Sequence, residues 1–235
     1  MFGWIDWKNH DAPDPDEDCA ATQGILITGQ AGFVGGMRVA TSLGWRAAEA
    51  LSVGDRVLTF DHGLQPVLDI QREVLAMPEG RLPEHHMPIL IPEGALDNDD
   101  PIRVMPDQGL LVESNTVQDI LDDPFAVIPA RAMAGLRGIA PALPPDPVII
   151  STIAFAEDEV VYVEGGLLAH CPRPRNILAD GGNGGTYRVL APRVARYLVA
   201  CLIEDDDIRA LICDHEEIVG IANRGRSHLR TVPQS

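Results

Sequence analysis

Residues 32–67 have the sequence GFVGGMRVATSLGWRAAEALSVGDRVLTFDHGLQPV, and this stretch decides the fold. Its short apolar runs are separated by glycine, serine and aspartate, a pattern typical of short strands joined by tight turns. Asp61-His62-Gly63 lies between two such runs and predicts a hairpin. A helix is disfavoured over residues 37–45, because β-branched residues and Gly44 lie in its interior.

The same pattern continues to about Val163. Strands are predicted at residues 25–27, 38–41, 56–60, 66–70, 87–91, 109–112, 148–150 and 160–163. Only two helices are predicted among them: a short one around 115–121 with Ser114 as N-cap, and another near 129–136. Because so few helices could connect these strands, the pattern favours a compact, mainly β arrangement over a parallel βαβ sheet.

Segments of different composition flank this region. Residues 11–18 are acidic and interrupted by proline, so we expect residues 1–23 to be an acidic tether, followed by a β-domain over 24–175. Residues 176–235 are expected to be a C-terminal extension, jointed by the sequence GGNGG at 181–185. Pro192 opens a helix there. Its predicted apolar face, expected to pack on the β-domain or alternatively on a partner protein, consists of Val194, Tyr197, Leu198, Cys201 and Leu202.

One alternative places a nucleotide in the first loop. The residues Thr28, Gly29, Gly32 and Gly35 have the spacing T-G-x-x-G-x-x-G, which resembles the fingerprint of short-chain dehydrogenases. With Asp61 as a ribose ligand, an NAD(P)-binding oxidoreductase is thus an alternative function. It requires a helix directly after the loop and a tyrosine followed four residues later by lysine, whereas the only lysine is Lys8.

A second resemblance explains more of the chain. Residues 32–67 resemble the opening of bacterial Hint domains of the hedgehog/intein superfamily, which runs C-F-x-x-G-T-x-I-x-T-x-x-G, then G-D-x-V-x-T, then D-H-G-x-Q. The residues that match in order and spacing are Gly36, Arg38, Thr41, Gly44, Gly54, Asp55, Val57, Thr59, Asp61, His62, Gly63 and Gln65. Further matches at 88–96, 105–112, 127–130 and 161–170 extend the resemblance to Cys171. It implies a Hint-type, mainly β fold with a short helical C-terminal appendage.

The resemblance also implies where self-processing chemistry would lie. Gly32 stands at the nucleophile position, and Gln108 stands where the assisting histidine is expected. The His-Asn pair that ends splicing inteins falls on His170 and Cys171. Glycine has no nucleophile, and glutamine cannot transfer a proton at neutral pH. We therefore predict a catalytically degenerate module that acts as a binding or structural domain, with an active self-processing protein as the alternative. In a Hint fold, Gly32, Gln108 and His170 should be spatial neighbours.

Composition limits the remaining classes of function. There are 35 acidic against 18 basic residues, a net charge of −17, so neither nucleic acid nor an anionic membrane surface is an expected partner. The four cysteines are scattered, and His85-His86 is expected to be a solvated pair rather than a metal site with His62 or His170; no metal or cofactor is predicted. Without a Sec-type signal or an apolar span, a cytoplasmic location is the default expectation, and non-Sec export stays open. A protein partner is expected without further identity.

Overall fold

The computed structural model describes residues 31–75, 83–173 and 186–212. The predicted tether, the predicted strand at 25–27, Thr28, Gly29 and the glycine joint at 181–185 lie outside these residues. The described strands are β1 (Phe33–Val34), β2 (Arg38–Thr41), β3 (Gly44–Ala47), β4 (Arg56–Thr59), β5 (Gly63–Pro66), β6 (Asp69–Leu75), β7 (Ile89–Ile91), β8 (Ile102–Val104), β9 (Gly109–Glu113), β10 (Phe125–Pro129), β11 (Ala140–Pro141), β12 (Val148–Ala154), β13 (Glu159–Tyr162) and β14 (Leu168–Cys171). The α-helices are α1 (Asn115–Leu121) and α2 (Pro192–Glu204).

The strands form two sheets. The first sheet has the order β11-β7-β8-β1-β12-β6, and the second has the order β10-β9-β14-β13-β4-β2-β3, with β5 paired to β4. Every pairing between these named strands is antiparallel. The predicted mainly β fold is confirmed.

The segment after the glycine-rich loop forms a hairpin instead of a helix. Strands β2 and β3 pair across a turn in which Thr41 faces Gly44. The Thr41 hydroxyl donates to the Gly44 carbonyl at 2.6 Å and accepts the Leu43 amide at 3.2 Å, while Gly44 has a φ of +95°. The helix that a nucleotide site would need directly after Gly35 is therefore not formed, and the oxidoreductase alternative is wrong on this point.

The D-H-G-x-Q motif forms the predicted hairpin between β4 and β5, in which Thr59 pairs with Gly63. The Thr59 hydroxyl donates to the Gly63 carbonyl at 2.9 Å, and Gly63 has a φ of +64° that favours glycine. Gln65 closes the turn by donating from Nε2 to the His62 carbonyl at 2.7 Å. Several of the residues that carry the family resemblance are thus the ones that shape turns.

Helix α1 agrees with its prediction, since the Ser114 hydroxyl accepts the Val117 amide at 3.1 Å as an N-cap. Two other predictions are wrong. The helix expected near 129–136 is only a 3-10 turn over Ala130–Met133, because β10 continues to Pro129 beside β9. The strand expected at 66–70 is interrupted, because the chain passes from the second sheet to the first between Pro66 and Asp69.

Buried apolar side chains form a main cluster, to which both sheets and α2 contribute, and a smaller cluster on the second sheet. Helix α2 packs against β10, α1 and the 130–133 turn, so the predicted docking on the β-domain is confirmed. Its face differs from the predicted one, however: Val194 and Tyr197 are 44% and 63% exposed. The buried stripe is instead Ala195, Leu198, Val199 and Leu202. None of the helices in the described part of the chain is long and apolar enough to cross a membrane.

Candidate functional site

The side chain of Gln108 joins three distant parts of the chain. It precedes β9 and is only 3% exposed. Its Oε1 accepts the Gly32 amide at 3.0 Å, although the two residues are 76 positions apart. Its Nε2 donates to the carbonyl of His170, in β14, at 2.8 Å and to the carbonyl of Gly109 at 3.0 Å. The predicted proximity of Gly32, Gln108 and His170 is therefore observed.

The orientation of the Gln108 amide follows from its partners. Both groups that Nε2 faces are carbonyl oxygens, which only accept hydrogen bonds, and the group that Oε1 faces is an N–H. Turning the amide over would place oxygen against two oxygens and NH₂ against an N–H. All three hydrogen bonds would then be lost, so the side chain is an acceptor toward Gly32.

The backbone at position 32 is suited to glycine. Gly32 has a φ of +140°, which residues with a side chain rarely adopt. A β-carbon added there would lie 2.8 Å from Ile150 Cγ2, 3.2 Å from the Ser151 carbonyl oxygen and 3.3 Å from the Thr152 hydroxyl oxygen. A side chain at position 32 would require both a strained backbone and movement of β12.

His170 and Cys171 are neighbours in β14 with different surroundings, since successive side chains of a strand point to opposite faces of the sheet. The His170 ring lies edge-on to the ring of Tyr187, with centroids 5.5 Å apart and planes at 72°, and Tyr187 packs against the smaller cluster. Cys171 belongs to the main cluster. Burial raises the pKa of the Cys171 thiol above its usual range, and the charge of Glu159 adds to this effect. The thiol therefore remains protonated at neutral pH.

Two acidic side chains, whose role here the sequence did not indicate, hold the segment around Tyr187, and Tyr187 in turn contacts His170. Asp61, the first residue of the D-H-G turn, accepts a hydrogen bond from the Tyr187 hydroxyl. Asp158 is 2% exposed and accepts the amide of Arg173 at 2.9 Å and that of Thr186 at 3.0 Å, one on each carboxylate oxygen. No local motif indicates these contacts, because the partners are between 15 and 126 positions apart.

His62 also has a partner that its position in the turn did not indicate. Its Nδ1 lies 3.1 Å from each carboxylate oxygen of the buried Glu159. This hydrogen bond raises the pKa of His62, and the negative charges of Glu159, Asp61 and Glu157 act in the same direction. The rings of His85 and His86 contact each other at a tilt of 47°, with centroids 4.1 Å apart. Among the described residues, no group of three or more His, Cys, Asp or Glu side chains could hold a metal ion.

Among known protein families, the one described as "Hint domain" matches residues 31–169 of this chain. An intein-like domain from Clostridium thermocellum is 16% identical, with a TM-score of 0.41, over 60% of this chain and 98% of its own length. A splice-inactive variant of the AceL NrdHF class 3 split intein is 12% identical, with a TM-score of 0.38, over 63% of this chain and 100% of its own. The gp41-1 intein is 16% identical, with a TM-score of 0.33, over 60% of this chain and 97% of its own. No curated protein matches the chain.

Proposed function

The chain belongs to the Hint domain family, and we propose that it is a member without self-cleaving chemistry, whose module binds or organises protein segments. The observation that carries the proposal is the hydrogen bond from the Gly32 amide to the side-chain oxygen Oε1 of Gln108. It concerns the peptide bond at which the family's first reaction would take place.

That first reaction needs a nucleophile. A thiol or hydroxyl at position 32 would attack the Ala31 carbonyl, and the bond from that carbonyl to the position 32 nitrogen would break, leaving a (thio)ester and a free amine. Gly32 has neither group. The backbone at Gly32, with a φ of +140°, disfavours a side chain, and an added β-carbon would lie only 2.8 Å from Ile150 Cγ2. The site therefore does not leave space for a nucleophilic side chain at position 32.

The departing amine also needs a proton. A histidine can supply one near neutral pH, whereas an amide cannot. Gln108 accepts a hydrogen from this nitrogen instead of donating one to it. Because its NH₂ group is engaged by two carbonyl oxygens, Gln108 holds the amide in place and does not assist its departure.

The end of the domain supports the same proposal. Splicing inteins release the chain through an asparagine that cyclises, and Cys171 at this position has no carboxamide nitrogen. Its thiol is buried and its pKa is raised, so it is not a thiolate nucleophile at neutral pH. The family-equivalent positions Gly32, Gln108, His170 and Cys171 are thus proposed to hold structure and not to catalyse.

A binding role is supported by the surface beside Tyr187. The cleft there is lined by apolar side chains and by three charged ones. The apolar residues include Phe60, Leu111 and Phe125, and the charged residues are Asp61, Asp123 and Arg188. Aromatic side chains with nearby polar groups are typical of recognition surfaces. Since the two carboxylates outnumber the one guanidinium, this lining would favour partners that present apolar and basic groups.

The proposal is tested by intact-mass spectrometry of the purified chain during prolonged incubation with and without a high concentration of thiol. We expect a single species at 25.4 kDa in both conditions. The matched variants are Gly32→Cys and the double change Gly32→Cys with Gln108→His. A fragment of the unaltered chain that ends at Ala31, together with one that begins at Gly32, would refute the proposal and establish the self-processing alternative.

A further inference from the structure

Residues Thr186–Leu190, which we call the strap, lie along the open edge of β10. The Val127 amide donates to the Arg188 carbonyl at 2.9 Å, and the Leu190 amide donates to the Val127 carbonyl at 2.8 Å. Val127 and Val189 thereby form a parallel bridge. This is the hydrogen-bonding pattern by which an extended peptide adds to the edge of a sheet.

Two side chains of the strap are inserted into the domain. The Tyr187 ring lies against His170, its hydroxyl donates to Asp61, and burial together with this hydrogen bond raises the pKa of Tyr187, so the phenol stays protonated. Leu190 is only 7% exposed, whereas Val189 between them is 58% exposed. The strap therefore hydrogen-bonds to β10 through the main chain of Arg188 and Leu190, both to Val127, and contacts the domain through the side chains of Tyr187 and Leu190. The Arg188 side chain also donates to the Leu121 carbonyl at 3.2 Å.

The buried carboxylate of Asp158 fixes the start of the strap. One carboxylate oxygen accepts the Thr186 amide and the other accepts the Arg173 amide. Asp158 therefore binds both the segment that follows β14 and the first residue of the strap. Since the residues between them include GGNGG, the strap is joined to the domain by a glycine-rich connection. An intramolecular segment held in this way is present at a high effective concentration.

We propose that the β10 edge, together with the surface formed by His170 and Asp61, is a peptide-binding groove whose tethered occupant is the strap. The partner class that fits the groove is an extended peptide with a tyrosine followed three residues later by an aliphatic residue. Main-chain hydrogen bonds to Val127 supply affinity, and the hydroxyl acceptor Asp61 selects tyrosine over phenylalanine. This inference names the partner class of the binding module proposed above. It rests on that proposal in one respect, that the module binds peptides.

The first test measures whether the strap covers His170. The full chain and its Tyr187→Ala variant are treated with diethyl pyrocarbonate, and the rate of modification at each histidine is read by peptide mass mapping. We expect the rate at His170 to rise about tenfold, because one hydrogen bond and one aromatic contact hold the ring in place. Tyr187→Phe, which keeps the ring, should give a smaller rise, and the exposed-site control Tyr197→Ala should give none.

The second test supplies the peptide in trans. A labelled synthetic peptide with the sequence of residues 186–192 is titrated into the Tyr187→Ala chain and into the unaltered chain. We expect at least about tenfold tighter binding to the variant, because its own strap competes less, and renewed protection of His170. Replacing tyrosine by phenylalanine in the peptide should weaken binding, and this difference should vanish when Asp61→Ala is added to the variant.

The outcomes are distinguishable. An unchanged rate at His170 in the Tyr187→Ala chain, or an equal rise at His62 and His85, would overturn the proposal, because the strap would then be no cover or only a general packing element. A faster modification of His170 in the Tyr187→Ala chain, without binding of the added peptide, would refute the proposed peptide-binding groove. The intact mass of the same samples reports separately on cleavage at residue 32, so failure of the proposed function would be recognised independently.

Discussion

Replacement of Gln108 by alanine tests the central contact of the domain. The change leaves the Gly32 amide and the carbonyls of Gly109 and His170 without their present partner. A buried polar group that loses its partner costs about 1–3 kcal/mol, and partial entry of water would lower the sum. We therefore expect Gln108→Ala to reduce the free energy of unfolding by about 2–4 kcal/mol.

The measurement is urea unfolding, with the slope compared between variants to check that the transition remains two-state. Gln108→His should cost less than alanine, because a neutral imidazole offers one donor and one acceptor and can replace up to two of the three bonds. The matched control Gln118→Ala, at an exposed position of α1, should change stability by less than about 0.5 kcal/mol. A Gln108→Ala chain as stable as this control would refute the reasoning.

Three further predictions concern other contacts. Glu159 raises the pKa of His62 in the folded state, so the pair stabilises the fold fully below about pH 6.5, the ordinary histidine value, and this stabilisation is lost as the pH rises through the raised pKa. The difference in melting temperature between the unaltered chain and His62→Gln should therefore shrink as the pH rises across this range. A difference that stays constant with pH would contradict the prediction. Cys171 should resist iodoacetamide in the native chain and react only after unfolding, as peptide mapping would reveal, since it is buried and its pKa is raised. Leu198→Ala should destabilise by about 2–5 kcal/mol in urea unfolding, whereas Val194→Ala on the exposed side of α2 should cost much less; equal losses would mean that α2 docks through another face.

Contacts between residues close in the sequence could be predicted with good precision. Ser114 caps α1 through an amide three residues away, and Thr59 closes the D-H-G hairpin with Gly63 four residues away. In both cases the side chain can reach only a few backbone groups, so residue type and spacing decide the contact. The face of α2 could not be predicted in the same way. Two stripes that share Leu198 and Leu202 are both apolar, and the position of β10 and the 130–133 turn selects between them.

The mainly β fold and its turns follow from the local sequence, and the resemblance to Hint domains predicts that Gly32 and Gln108 occupy the positions of a nucleophile and a histidine. The contacts of these residues depend on the tertiary structure: the Gln108 side chain accepts from the Gly32 amide, and the Tyr187 ring lies edge-on to His170. Gly32 and Gln108 are 76 positions apart, and Tyr187 contacts a strand that ended before the glycine-rich connection began. Their geometry depends on which sheet faces and edges meet, and residue spacing along the chain does not specify that. A glutamine can donate or accept with equal ease, so its role at the site was set by the partners that folding brought to it.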